Sequence, residues 1–284
     1  MGCASGPDNN TQYGLDVINI SGLVTDQLKL YFDTARSISF NNTTSDVFWK
    51  DISNSDQSRK FSLKADGYGS YGEVASKAPT FSQDSGGSFV FDGGNDFGVL
   101  HGNSSTAPHV TSAAYQYPAD YSPFYQSSSG GLITVSMWIK TTSGSDLGVW
   151  SHCNGGPVNL SYGIGAGKAR YWYYTAPWQI LDSNTSINDG QWHNLVWAKA
   201  GTNMKIYVDN VLDKDVTLVG NVNGPLYSLG SRWGPCNSAG YGAGTNSYGS
   251  TFNGSLAILM AHHKQLSAAE VDQNYIAMKT RFGK

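Results

Sequence analysis

Four stretches in the second half of the chain decide its fold: LITVSMWIKT (132–141), QWHNLVWAKA (191–200), NMKIYVD (203–209) and SLAILMAHHKQLSAAEVDQNYIAMKTRFGK (255–284). Apolar side chains recur in them at every second position, which is the period of a strand buried on one face. The positions predicted to face a core are Ile133, Val135, Met137, Ile139, Met204, Ile206, Val208, Leu256, Ile258 and Met260. The positions between them that we expect to meet water are Thr134, Ser136, Lys205 and Ser255. This alternation is typical of antiparallel sheets.

A tight turn and a helix are also visible in these stretches. Asp209-Asn210 separates two strand-like segments, and both residue types tolerate the positive φ of a short hairpin. Ser267 and Glu270 have the spacing of a helix N-terminal capping box. Apolar residues at helical spacing follow the box: Val271, Tyr275, Met278 and Phe282. The sequence therefore predicts an all-β antiparallel sandwich with one short C-terminal α-helix.

Composition excludes several classes of partner. Charged residues make up 14% of the 284 residues and the net charge is −3, so we expect no basic surface for nucleic acid. No apolar run approaches the roughly 18 residues of a membrane-spanning helix, and we expect no membrane insertion. The first ten residues lack the features of a secretory signal, which predicts synthesis in a host cytoplasm. For Cys153 and Cys236, both a disulfide and two free thiols stay open.

The chain divides into an arm and one domain. Residues 1–24 show little apolar periodicity and are interpreted as an N-terminal arm, for which anchoring to a neighbour and disorder both stay open. Residues 25–284 contain no repeat and no second core, so they are predicted to form a single domain. Two long polar stretches, 101–131 and 231–251, are predicted to be loops. Loops of this length in a compact domain are usually functional or disordered.

A set of ordered motifs runs through residues 28–284: LKLYFDTARSISF, WKDIS, SFVFDGGNDFGVL, TVSMWIKT, QWHNLVWAKAGTNMKIYVDNVLD and FNGSLAILMAHHKQLSAAEVDQNYIAMKTRFGK. In this order they resemble the strands of the laminin G-like, concanavalin A-like family of jelly-roll sandwiches. The ending is similar to members of the family found in phage particles. The resemblance implies a jelly-roll fold and a phage context, and it specifies a fold more firmly than an activity.

The same resemblance bears on calcium. Many relatives carry an aspartate in the last strand that helps to hold a calcium ion, but Ala257 follows Ser255-Leu256 here. Asp92, Asn95 and Asp96 could still supply the oxygen ligands that Ca²⁺ prefers. Aspartate in such a segment is also a common turn former. The sequence leaves two possibilities open: no cofactor, or Ca²⁺ held by these three residues.

Catalytic residues are poorly represented. A retaining glycosidase needs two carboxyl groups about 5–5.5 Å apart, yet the chain has only two glutamates, Glu73 and Glu270. The second is assigned to the helix cap. His262 and His263 are adjacent on a strand and should point to opposite faces, and His193 matches a structural position of the family. We therefore expect no enzyme activity.

Aromatic residues are the best candidates for a binding surface, because rings stack on sugar faces and are enriched at protein interfaces. The segment ARYWYYTAPWQ (169–179) is the densest, and alternation turns half of its rings away from the core. Other rings lie in the two long loops. The residues predicted to contact a glycan or a protein partner are Tyr171, Trp172, Tyr174, Trp178, Trp233, Tyr241, Tyr121 and Tyr125.

These observations favour a non-enzymatic structural protein on the surface of a phage particle, as a capsid decoration or a tail component. Its expected partners are other virion proteins, and binding to host-surface glycans is a second expected role. Two alternatives stay open: a lectin-like module of a bacterial surface protein, and a jelly-roll glycan hydrolase or lyase. The sequence also leaves open whether the chain forms a homo-oligomer.

Overall fold

The computed structural model describes residues 22–41, 48–53, 59–63, 78–101, 131–151, 160–175, 177–220, 226, 228–231 and 250–284. Within these ranges the chain forms two eight-stranded sheets in which all paired strands run antiparallel. The predicted all-β sandwich with a C-terminal helix is confirmed. No helix in the described part of the chain is long and apolar enough to span a membrane.

Sheet A has the order β14-β13-β12-β7-β16-β5-β4, and β1 also pairs with β16. Its strands are β1 (Leu28–Asp33), β4 (Thr80–Ser82), β5 (Ser88–Asp92), β7 (Ile133–Lys140), β12 (Trp192–Ala200), β13 (Asn203–Val208), β14 (Val211–Thr217) and β16 (Asn253–His262). The turn between β13 and β14 is the predicted one, since Asp209 and Asn210 have φ values of 47° and 69°.

Sheet B has the order β11-β10-β9-β8-β15-β6-β3-β2. Its strands are β2 (Phe48–Lys50), β3 (Lys60–Ser62), β6 (Gly98–His101), β8 (Leu147–Ser151), β9 (Leu160–Gly165), β10 (Lys168–Tyr174), β11 (Trp178–Ser186) and β15 (Ser228–Leu229). The inner faces of the two sheets form one large hydrophobic cluster that includes Trp49, Trp150, Trp197, Tyr162 and Tyr171.

The predicted alternation is confirmed in β7 and β13 and is wrong in β16. Leu256 faces the large cluster between the sheets, but Ile258 and Met260 lie on the opposite face of sheet A. The register shifts between Leu256 and Ile258, which marks a β-bulge. A bulge adds one residue to the strand and so exchanges the faces of the side chains that follow.

The outer face of sheet A is not open to water, contrary to prediction. Thr134 and Ser136 on β7 are buried, because the segment before the helix and the chain around Val24 cover them. The Thr134 hydroxyl donates to the Lys264 carbonyl at 2.7 Å and accepts from the Leu266 backbone N–H at 2.9 Å. The Thr134 hydroxyl is therefore used as both donor and acceptor inside the domain.

The covering helix α1 (Ala268–Met278) begins with the predicted capping box. The Glu270 backbone N–H donates to the Ser267 hydroxyl, and the Ser267 backbone N–H donates to the Glu270 carboxylate. The bonds from Lys264 and Ser267 lower the pKa of Glu270 to about 2. Val271 and Met278 pack against sheet A.

The C-terminal residues after α1 are part of the packed domain. The ring of Phe282 stacks on Trp138 with centroids 4.1 Å apart and planes at 12°. The Arg281 guanidinium donates to the Asp33 carboxylate and to the Ser85 and Gly87 carbonyls. The RFGK ending thus closes the outer face of sheet A.

The last residues of the predicted arm pack against the sandwich. Leu23 and Val24, assigned to the arm, are buried. The Val24 backbone N–H donates to Asn274 Oδ1 at 2.8 Å, and the Val24 carbonyl lies 2.9 Å from His262 Nε2. The rest of the arm, most of residues 101–131 and 231–251, and both Cys153 and Cys236 lie outside the described residues.

Replacing Phe282 with alanine should lower the free energy of unfolding by about 3 kcal/mol, because it removes a buried ring and leaves a cavity against Trp138. Chemical denaturation followed by tryptophan fluorescence measures this change. Ile276→Ala is the control: this helix residue is 56% exposed, so its replacement should change the free energy by no more than about 0.5 kcal/mol. Equal effects of the two substitutions would contradict the packing role of the C-terminus.

Candidate functional site: an aromatic edge on sheet B

The hairpin of β10 and β11 positions the aromatic residues predicted from the sequence. Alternation along β10 points Tyr171 and Tyr173 into the core, so Arg170, Trp172 and Tyr174 lie on the outer face of sheet B. The register pairs Trp172 with Ile180 and Tyr174 with Trp178 across the hairpin. The outer face of β11 therefore presents Trp178, Ile180 and Asp182.

Two residues that were predicted to contact a ligand are buried in the structure. Tyr171 lies between the sheets, with its ring 5.0 Å from that of Tyr162 and 5.2 Å from that of Tyr173. Trp172 points outward, yet only 1% of it is exposed. A Cβ atom at Gly163 would lie 3.0 Å from the Trp172 indole, so this glycine lets the ring lie against the sheet. Neither residue offers a ring surface to a ligand.

Tyr174, Trp178 and Ile180 form an exposed apolar strip that we name the aromatic edge. The rings of Tyr174 and Trp178 meet edge to face, with centroids 5.3 Å apart and planes at 62°. Trp178 is 38% exposed and Ile180 is 56% exposed. Both are on the outermost strand of sheet B, which has a neighbour strand on one side only. Among the described residues, this edge is the accessible part of the predicted aromatic surface.

Beside the aromatic edge lies an ionic cluster. Arg170 is buried and donates to Asp182 through Nη2 at 2.7 Å and through Nε, and to Asp146 through Nη1 at 2.6 Å. Its guanidinium lies 5.2 Å from the centre of the Trp172 ring. The hydrogen bond to Asp182, followed by the negative charges of both carboxylates, raises the pKa of Arg170. The cluster fixes the two strands of the hairpin to β8 through Asp146.

A row of small polar residues crosses the same face. Ser228, Ser151, Ser161 and Trp172 are successive partners across four strands. The hydroxyls of Ser151 and Ser161 are 2.5 Å apart, and the Ser228 hydroxyl donates to the Ser231 carbonyl. All three serines are buried, so they bond within the protein.

The residues predicted to bind calcium shape a turn. Asp96 Oδ2 accepts from the Asp92 backbone N–H at 2.8 Å, and Asp92 Oδ1 accepts from the Gly94 backbone N–H at 2.6 Å. Burial raises the pKa of Asp96 to about 6, and the charge of Asp92 adds to the effect. Asn95 lies between them in the turn. Among the described residues no group of three His, Cys, Asp or Glu side chains is arranged to hold a metal ion. Calcium binding here stays a prediction.

The histidines are held by structural hydrogen bonds. His193 Nδ1 lies 2.9 Å from Asp209 Oδ2, and Nε2 lies 3.0 Å from Asp189 Oδ1. With both ring nitrogens engaged, His193 is unsuited to act as a general base. His262 is fully buried against Val24. Burial lowers the pKa of His193, but the bonds to Asp209 and Asp189 outweigh it and leave the pKa above its ordinary value.

The raised pKa makes the contribution of His193 to stability depend on pH. The folded state binds the proton more tightly than the unfolded state, so the contribution is complete below a pH of about 6.5 and is lost as the pH rises through the folded pKa. His193→Gln should therefore cost more stability at about pH 6 than at about pH 9.

Urea unfolding of both proteins across this range measures the difference. The difference in stability between the two proteins at each pH is the informative quantity. Burial lowers the pKa of His262 in both proteins, so His262 makes the stability of both increase as the pH rises. A cost that is independent of pH would contradict the charged Asp189–His193–Asp209 arrangement.

Four predicted contact residues, Tyr121, Tyr125, Trp233 and Tyr241, lie outside the described residues. Sequence reasoning missed Ile180 and the Arg170 cluster. The hairpin register could have indicated both. If Tyr174 pairs with Trp178, then Ile180 lies opposite Trp172 and Asp182 lies opposite Arg170.

Comparison with known proteins assigns the family. Residues 122–272 match the sequence profile of the concanavalin A-like lectin/glucanases superfamily, and this range is more than half of the chain. The chain belongs to this superfamily, and its fold is the lectin-like jelly roll. No curated protein matches the chain in sequence.

Several solved structures share the fold at low sequence identity. Domain 4 of AbnA, a GH43 extracellular arabinanase from Geobacillus stearothermophilus solved in complex with arabinotriose, is 16% identical with a TM-score of 0.51, covering 87% of this chain and 98% of that one. A botulinum neurotoxin type C structure, described as entering cells through two ganglioside molecules, is 13% identical with a TM-score of 0.54, covering 90% and 52%.

The binding domain of Paraclostridial Mosquitocidal Protein 1 is 11% identical with a TM-score of 0.53, covering 88% and 52%. The chain thus spans about half the length of the two toxin structures. At these identities the likeness concerns the fold.

Proposed function

We propose that this chain is a non-catalytic carbohydrate-binding protein whose aromatic edge contacts the sugar. The observation that carries the proposal is the partly exposed Trp178 ring, held edge to face against Tyr174 at the end of a regular hairpin. Aromatic faces are electron-rich and attract the weakly positive C–H groups of a sugar ring. Membership of a superfamily that contains lectins supports the same function.

The hairpin suits recognition because it is already ordered. Six register pairs join β10 to β11, and Arg170 ties both strands to Asp146. A ligand that meets a preorganised surface does not have to order it, so more of the contact energy appears as affinity. The aromatic edge needs no conformational change to present its rings.

The arrangement of the carboxylates supports binding without hydrolysis. On the outer face of β10 and β11 and at the end of the neighbouring loop, the described carboxylates are Asp182 and Asp146, and both accept hydrogen bonds from Arg170. A glycosidase needs one carboxyl group that gives a proton to the leaving oxygen. Both carboxylates are instead hydrogen-bonded to the same guanidinium, which supports a structural use of these side chains.

Trp178→Ala should weaken glycan binding at least tenfold, roughly the effect of losing a central aromatic contact. Glycan-array screening followed by calorimetry on the bound sugars measures the change. Trp178→Phe keeps a ring and should retain part of the affinity. Val211→Ala is the matched control, since Val211 is 67% exposed on another hairpin. Unchanged binding by Trp178→Ala would remove this site, and release of reducing ends from the bound glycan would contradict the absence of catalysis.

We further propose that the protein is displayed on the surface of a phage particle, as a capsid decoration or tail component. The support is the resemblance of the last dozen residues, 273–284, to phage-associated members of the family, together with the stable sandwich. Mass spectrometry of purified particles should detect the chain, and antibody labelling in negative stain should place it on the capsid or the tail. Its absence from particles would favour a lectin-like module of a bacterial surface protein.

A further inference from the structure

Strand β11 is the longest of the strands that the structure places at the ends of the two sheets. Natural proteins keep such edge strands from pairing with other chains by making them short, by charging them or by covering them. The edge strands β2 and β4 have three residues each, whereas β11 has nine. Ile180, in the first half of β11, is 56% exposed. Length and apolar exposure make β11 the candidate edge for a partner strand.

The edge strand of sheet A, β14, is protected by its charges. Asp213, Lys214 and Asp215 follow one another in it. Two copies of β14 paired about any of these three residues would place that charge opposite its own copy, which is destabilising. Asp213 also closes the far end of β11, where it accepts from the Thr185 backbone N–H at 2.9 Å and from the Asn184 backbone N–H. Among the described residues, the part of β11 that stays open to a partner is 178–182.

The hairpin register shows where the backbone groups of this open part point. The Thr175 N–H donates to the Pro177 carbonyl at 3.3 Å at the base of the turn. Bonded and non-bonded pairs alternate along an antiparallel ladder, so Tyr174–Trp178 and Trp172–Ile180 are non-bonded pairs. The N–H and C=O of Ile180 therefore point away from β10. No described residue bonds to them on that side.

We infer that two copies of this chain pair through β11, antiparallel about a two-fold axis at Ile180. Ile180 then lies opposite Ile180 of the partner subunit, and the two residues exchange both of their outward backbone hydrogen bonds. Trp178 lies opposite Asp182 of the partner subunit, so like charges do not face each other. A two-fold contact of this kind uses the same surface on both copies and closes on itself. The expected assembly is a dimer in which the two copies of sheet B are continuous.

Pairing through β11 is compatible with ligand binding at the aromatic edge. Strand addition uses backbone groups and leaves the side chains on the faces of the sheet. Trp178 and Ile180 therefore stay on the outer face, next to the same residues of the partner subunit. The two Trp178 residues are offset by four positions, about 13 Å along the strands. The dimer would thus present a longer apolar surface than one copy, although its formation does not depend on the proposed carbohydrate binding.

Sedimentation of the full chain without glycan, from micromolar to near-millimolar concentration, tests the dimer. The mass should rise from one subunit to two and stop there. Ile180→Lys places two ammonium groups opposite each other and should raise the dissociation constant at least about tenfold. Ile276→Lys is the control, because Ile276 is also 56% exposed, but on α1, and it should leave the dissociation constant unchanged. A one-subunit mass at every concentration, growth beyond two subunits, or a dimer unaffected by Ile180→Lys would overturn the inference.

A cross-link tests the register. Ile180→Cys, in a chain whose three native cysteines are replaced by serine, should form a disulfide-linked dimer on mild oxidation. Bonded partners in an antiparallel ladder have Cα atoms about 5.5 Å apart, which suits a disulfide. Ile276→Cys in the same chain should stay monomeric under the same conditions. Failure of Ile180→Cys to cross-link would refute pairing about Ile180. Because these measurements contain no glycan, loss of the dimer and loss of glycan binding are separate outcomes.

Discussion

The structure depends on the covering of the outer face of sheet A. Strands β7, β12 and β16 carry apolar residues on both faces, so this sheet cannot be stable with one side in water. Helix α1 and the segment after it provide the cover, in which the ring of Phe282 stacks on Trp138. Because this cover comes from the C-terminal residues, sheet A depends on them to bury its outer face.

This cover also limits which part of the described surface is accessible. The outer face of sheet A is occupied by α1, by the chain around Val24 and by the ion pairs of Lys264 and Arg281. The outer face of sheet B, at its β10–β11 end, carries Trp178 and Ile180 with exposed side chains. In the described residues the two sheets therefore differ: the outer face of sheet A is covered, and one edge of sheet B carries exposed apolar side chains.

The sequence predicted the elements well because their signals are local. The period of two in β7 and β13, the Asp209-Asn210 turn and the Ser267–Glu270 box each depend on residues within a few positions. The face exchange in β16 was not predictable, because the bulge between Leu256 and Ile258 is fixed by pairing with β7, which lies over a hundred residues away. The burial of Thr134 has the same origin, since its partners Lys264 and Leu266 are equally distant.

In the candidate site, too, local patterns were predictable from the sequence and the three-dimensional arrangement was not. Tyr174 and Trp178 were predicted from their density in one segment, and the hairpin brings them together. Tyr171 and Trp172 were assigned to the same surface because composition alone does not say which face of β10 is inside. Trp172 is on the outer face but is buried against Gly163, and only a three-dimensional arrangement distinguishes an outward residue from an accessible one.

The shape of the aromatic edge connects the two parts of the proposed function. One ring pair on an edge strand would contact a sugar on one side only, which limits the affinity of a single copy to a small number of contacts. Copies fixed on a common particle convert later contacts into intramolecular ones, and the combined affinity can exceed that of one site by about 10²–10⁴. A sugar site of this kind would therefore gain more from an array of copies than a single copy could supply.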